Sequence, residues 1–187
     1  MVVGLSVLAV AASRAATEQD YDWEKGEREI KRVAPSSFKQ LPATVIKELE
    51  DQGCTIPQSD YPDFSNELHN VIQGEFARKG QRDWAVLCSR EGKSSILVFW
   101  EKPSECPDNI GEVKDKIFLQ GWLEGQVIYS RVIAGVSADY VLKHYERGAG
   151  TEPPPFDHEG INDLFAGKAS VIHYCERGKW IGLTGLD

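Results

Sequence analysis

The sequence predicts an α+β fold: a mostly antiparallel sheet of about five to seven strands with two or three helices. Three observations carry this expectation. Runs rich in β-branched and aromatic residues are joined by short links containing Gly, as in hairpins. Two amphipathic stretches carry helix start and stop signals. No strand–helix–strand alternation calls for a parallel sheet, and no internal repeat of solenoid length is visible.

The elements follow from the N-terminus. Residues 2–12 are an uncharged apolar run, followed by Ser13-Arg14-Ala15. The run has the length of a signal-peptide core and falls short of the roughly 20 residues that span a bilayer. Ser13 and Ala15 suit the small-residue positions of a cleavage site, although no Lys or Arg precedes the apolar core. The expectation is a signal peptide over residues 1–15, preferred over a short buried N-terminal element. Residues 16–34 read as a charged arm with Tyr21, Trp23, Ile30 and Val33 as its apolar anchors. A single α+β domain is expected over residues 35–187.

In that domain Phe38, Leu41, Val45, Ile46 and Leu49 fall at helical spacing and Gly53 suits a helix stop; Ser37, with Gln40 three residues on, suits the N-cap, whereas Pro42 within the run points to a regular helix starting there. Strand-like runs follow at residues 71–76, 84–89 and 94–100, with Glu91-Gly92-Lys93 linking the last two. Both parities of Ile96-Leu97-Val98-Phe99-Trp100 are apolar, which predicts a central strand covered on both faces. Two more strands are expected at 116–123 and 126–134, around Glu124-Gly125. Ser137 caps a compact helix with Ala138, Val141, Leu142 and Tyr145 on one face, and Gly148 stops it. After a Gly/Pro-rich linker, a short helix is expected over 160–165. A closing hairpin then runs 169–176 and 179–184, turning at Arg177-Gly178.

Composition bounds the function. The 187 residues are 41% hydrophobic and 27% charged, enough for a packed core. A net charge of −8 with scattered basic residues argues against nucleic acid or an anionic membrane as partner. Four cysteines, Cys54, Cys88, Cys106 and Cys175, form no CxxC or Cys/His zinc spacing. With export they imply two disulfides, for which three pairings exist. The expected pairing is Cys54–Cys88, stapling the first helix to a central strand, with Cys106–Cys175 as the second bond. The localisation that goes with this reading is secreted or periplasmic.

The run Gly74-Glu75-Phe76-Ala77-Arg78-Lys79-Gly80-Gln81-Arg82-Asp83-Trp84-Ala85-Val86-Leu87 resembles the FG-GAP/VCBS segment of β-propeller blades. That family shows Gly-x-Phe, a short acidic loop with Gly, then Asp-x-Ala-Val-Leu. The resemblance implies a strand, a tight loop turning at Gly80, and a second strand, with Asp83 bonding loop amides. The family's calcium loop is rich in Asp and Asn. Here the equivalent Ala77-Arg78-Lys79 supplies no oxygen ligand, so calcium is not expected, and one copy makes no propeller. The longer pattern from Gly53-Cys54-Thr55-Ile56-Pro57-Gln58 through this segment is similar to uncharacterised secreted bacterial proteins, which implies a fold and no activity.

Candidate chemistry centres on Asp157-His158-Glu159 with Asp163. His158, Glu159 and Asp163 could supply an acid–base pair, with or without a metal; the plain alternative is a helix cap facing water. No HExxH, GxSxG, GxGxxG or P-loop is present. Cys175 and His173 share a strand face but are expected to be a disulfide half and a sheet residue. Trp100, Trp122 and Trp180 are the candidate binding residues, as an aromatic row for a glycan or a partner, weighed against core packing. No cofactor and no metal site is expected. The leading expectation is a non-enzymatic exported binding module whose partner is an envelope protein or glycan. The alternative is a small hydrolase using residues 157–163.

Overall fold

The computed structural model describes residues 20–148 and 154–185. The expected signal peptide over 1–15 lies outside these residues. Within the charged N-terminal stretch, α1 (Trp23–Glu29) opens on Asp22, whose carboxylate accepts the Lys25 N–H at 2.8 Å. A two-residue strand β1 (Arg32–Val33) follows and pairs antiparallel with β2 (Ile56–Pro57). Between them lies α2 (Ala43–Asp51), with Pro42 at its N-cap, the site where a missing N–H costs nothing. Gly53 adopts a left-handed φ of 69°, which lets the Cys54 N–H reach back to the Leu49 carbonyl at 2.9 Å and close the helix.

Two four-stranded antiparallel sheets form the body. The first has the order β3 (Val71–Gly74), β4 (Asp83–Arg90), β5 (Lys93–Phe99), β6 (Asn109–Lys114). The second has the order β9 (Arg131–Val136), β10 (Gly160–Phe165), β11 (Ala169–Glu176), β12 (Lys179–Thr184). A small hairpin of β7 (Leu119–Gly121) and β8 (Val127–Tyr129) precedes the second sheet, and α3 (Ala138–Gly148) connects β9 to β10. The β4–β5 and β11–β12 turns are two-residue links, Glu91-Gly92 and Arg177-Gly178, with φ positive at both residues. That geometry matches the right-handed twist of the flanking strands.

The layers stack as helix, sheet, sheet, helix. Phe38, Leu41, Val45 and Leu49 cover the outer face of the first sheet through Val86, Cys88 and Leu97. Leu49 is fully buried there, a contribution of about 2 kcal/mol. The opposite face of the same strands, Ala85, Leu87, Ile96 and Val98, packs on Ile133 and Ile161 of the second sheet. β5 is therefore apolar on both parities because it is covered on both faces. On the far side, Val141 of α3 lies against Ile172 and Tyr174. The disulfide Cys54–Cys88 (Cα–Cα 5.4 Å) ties the end of α2 to β4. Cys106–Cys175 (Cα–Cα 6.1 Å) ties the loop after β5 to β11, and so links the two sheets. No helix among the described residues is long and apolar enough to cross a membrane.

The fold is mixed α+β and mostly antiparallel sheet, with three corrections. The described residues hold twelve strands in four sheets, more than the five to seven expected. The runs at 116–123 and 126–134 are not continuous strands. Asp115–Phe118 forms a 3-10 turn, and Ser130 breaks the second run, bonding its N–H to the Phe118 carbonyl at 3.0 Å. Residues 160–165 form strand β10, not a helix. β9 and β11 both offer it a ladder, and Ile161 and Asp163 face inward at strand period.

Candidate functional site

The sequence singled out residues 157–163, and the structure separates them. Asp157 and His158 line a cleft of about 530 Å³ where four segments converge: Ala77 and Arg78, residues 103–105, Pro155 to His158, and the β11–β12 turn. The Cys106–Cys175 bridge forms part of its wall through Cys175. Asp163 lies in β10, five residues further along an extended strand, and does not line this cleft.

Each candidate catalytic side chain is engaged by the fold. His158 is buried and stacks on Tyr174, with ring centroids 4.1 Å apart and planes 7° from parallel. Its Nε2 faces the Cys175 carbonyl at 3.1 Å and its Nδ1 the Glu159 carbonyl at 3.0 Å. Both ring nitrogens are thus turned to backbone oxygens, and neither is presented to the cleft as a free base. Glu159 accepts the Glu75 N–H at 2.8 Å, an approach that requires Gly74, because a Cβ there would collide with the carboxylate. It pins the start of β10 to the end of β3.

Asp163 belongs to a buried polar layer between the sheets. Its two oxygens accept Arg131 Nε at 2.9 Å and Nη2 at 2.8 Å, a bidentate pair. Arg131 is 1% exposed; its Nη1 donates to Ser94 Oγ at 2.7 Å, and its guanidinium lies 4.5 Å from the Phe118 ring centroid. Beside it, the fully buried Asp115 accepts Arg32 Nη2 and Ser89 Oγ, each at 2.6 Å. His173 faces the same layer. Burial pushes its imidazole below the ordinary range, with Asp163 pulling upward and Arg131 downward. Cys175, one strand period along, is a disulfide half and offers no thiol.

A second buried polar residue had no sequence signal at all. Asn70, fully buried at φ 71°, donates Nδ2 to the Pro57 carbonyl at 2.6 Å and the Arg131 carbonyl at 3.2 Å. Its Oδ1 accepts the Ile133 N–H at 2.9 Å, and its backbone carbonyl accepts the Leu87 N–H at 2.9 Å. One amide side chain therefore occupies the free ladder groups of the β9 edge. Nearby, His69 Nε2 accepts the Ser59 N–H and Nδ1 donates to the Glu67 carbonyl, which fixes a neutral tautomer. Burial lowers its pKa in keeping with that arrangement.

The three candidate binding tryptophans do not form one row. Trp100 and Trp180 stack on each other at 5.8 Å at one end of the inter-sheet core, where Trp180 Nε1 donates to the Pro107 carbonyl at 2.8 Å. Trp122 stands apart, between β7 and β8, with its ring edge-on to Tyr61 at 5.4 Å. On one side of it lie apolar groups: Leu123 is 72% exposed, and Tyr21 sits over Gly121, where a Cβ would enter its ring. Among the described residues no three His, Cys, Asp or Glu side chains come together as metal ligands. Compared with known proteins, the chain matches no family model, no curated protein and no solved structure.

Proposed function

We propose that this protein is a non-enzymatic binding module that works outside the cytoplasm. The observation that carries the reading is the commitment of His158, Glu159 and Asp163 to backbone carbonyls, a backbone amide and a buried arginine respectively. A general acid or base must reach substrate, and these atoms already hold strands together. What remains available is surface, and the Trp122 region supplies aromatic and aliphatic area of the kind that carries binding energy. Two disulfides suit an oxidising compartment, and an envelope protein or glycan is the partner class that compartment offers.

Affinity capture from an envelope extract tests the reading, run with the oxidised protein and two variants. His158→Ala is expected to leave capture unchanged, whereas Trp122→Ala is expected to abolish it. Hydrolysis of ester, glycoside, phosphate or peptide substrates that disappears with His158→Ala would overturn the proposal in favour of a hydrolase.

A further inference from the structure

Trp122 stands where two surface depressions meet. On one side a groove of about 500 Å³ runs between α1 and the β7–β8 hairpin; among the described residues that line it are Asp20, Asp22, Glu29 and Asp60, with Lys25 as the one cation. On the other side is an apolar dimple of about 360 Å³ formed with Tyr21, Gly121 and Leu123. The indole is the wall between them, and Tyr61 holds its edge in place.

Charge in the groove is unbalanced. Lys25 is spent on Glu29 at 3.9 Å, and Asp22 is occupied with the first turn of α1. Asp60 has its backbone N–H fixed to the Tyr129 carbonyl. Burial raises its carboxyl pKa, with Lys31 and His69 pulling the other way. Glu124 adds a carboxylate to the lining of the dimple, and the 48% exposed Trp23 packs on Tyr21 with ring centroids 5.6 Å apart. An acidic rim repels phosphate and anionic lipid. A neutral glycan would stack on the indole but leave the carboxylates unmatched. A small polyamine would match the carboxylates but leave the dimple empty.

We propose that this double depression receives an extended peptide segment of a partner protein, in which a Lys or Arg and an apolar side chain stand two residues apart. Side chains at i and i+2 project from the same face of an extended chain, about 6.8 Å apart. The cation enters the acidic groove across the Trp122 ring, and the apolar neighbour fills the dimple against Leu123 and Tyr21. The inference rests on the binding-module reading and names the partner class for it.

The test uses the oxidised protein and fluorescein-labelled decapeptides, read by anisotropy. A peptide repeating Arg-Ser-Leu-Ser, which sets Arg and Leu two residues apart on one face (the Leu/Arg peptide), is expected to bind, with affinity that falls as salt rises. The same repeat with Ser in place of Leu is expected to bind about tenfold more weakly, and with Glu in place of Arg (the Leu/Glu peptide) not at all. Trp122→Ala should weaken the Leu/Arg complex about tenfold or more. Leu123→Ser, at an exposed position that folding does not need, should weaken it severalfold, and Trp180→Ala should leave it unchanged. Equal binding of the Leu/Glu peptide, full competition by spermidine, or indifference to both Trp122→Ala and Leu123→Ser overturns the inference. So does a dimer that Trp122→Ala dissociates, which would give the surface to a second copy. If no peptide binds while envelope capture still depends on Trp122, this inference fails and the binding-module reading stands. Turnover lost with His158→Ala removes that reading itself.

Discussion

Replacing Asn70 with Ala removes the side chain that joins β2 to β9 and leaves its backbone bond to β4. Three side-chain hydrogen bonds disappear, at 2.6, 3.2 and 2.9 Å, all in fully buried surroundings. Each is worth about 1 kcal/mol net, and the Ile133 N–H left without a partner adds about 1–3 kcal/mol. Asn tolerates the left-handed backbone at φ 71°, whereas Ala in that region costs about 1 kcal/mol. The expected loss is therefore about 5–7 kcal/mol, a large part of the ~5–15 kcal/mol that holds a domain together. Asn70→Gly loses the same bonds without the backbone penalty and should sit about 1 kcal/mol above Asn70→Ala. Urea denaturation of the oxidised proteins, followed by tryptophan fluorescence, measures all three. A loss under about 1 kcal/mol for Asn70→Ala, or a glycine variant as stable as wild type, would refute the assignment of those bonds.

Asp163→Asn leaves the Arg131 guanidinium buried without its counter-charge and should cost about 3–5 kcal/mol in the same assay; a loss near zero would show that Ser94 and Phe118 suffice. His69 and His173 are both held below their ordinary pKa, so the unfolded chain binds protons that the folded one refuses. Their contribution is fully present above the unfolded value near about pH 6.5 and is lost as pH falls through the lowered folded values. Asp60, raised by burial, acts with the opposite sign, so the measurement is the difference in urea midpoint between wild type and His69→Gln/His173→Gln across that window. The double variant should show the flatter dependence. Gly26→Ala places a methyl inside the Val127 side chain and should lift α1 from the β7–β8 hairpin, detected as faster proteolysis within residues 20–32. Unchanged proteolysis would mean Val127 yields without cost.

The parts of the fold that the sequence made legible are those where one local rule decides. Pro42 and Gly53 bound α2 through backbone chemistry alone, and Glu91-Gly92 and Arg177-Gly178 set their hairpins by positive φ. β5 announced its double burial because both its faces meet a core. The errors arise where tertiary partners overrule the local pattern. Residues 160–165 read as a short helix in isolation, but they form a strand whose Asp163 is admitted to the interior because Arg131, thirty-two positions earlier, neutralises it. Asn70 was invisible for the same reason: its partners at Pro57, Leu87, Arg131 and Ile133 are remote in sequence, and a lone Asn before a strand reads as a turn residue. For the candidate site, His158 and Glu159 were found by residue type, which cannot reveal that their polar atoms are turned inward. Trp122 was one name among several tryptophans until Tyr61 and the acidic groove set it apart.

The two disulfides are successive along the chain and do not interleave: Cys54–Cys88 closes before Cys106 is reached. A chain made from its N-terminus first can thus oxidise the α2–β4 bridge while the second sheet is still unmade. The remaining pair then meets with no other free thiol to compete for it. The same arrangement divides the molecule's response to cutting. A break between residues 54 and 88, or between 106 and 175, leaves one covalent molecule until it is reduced. A break in the stretch from 89 to 105 releases two pieces, each keeping its own bridge.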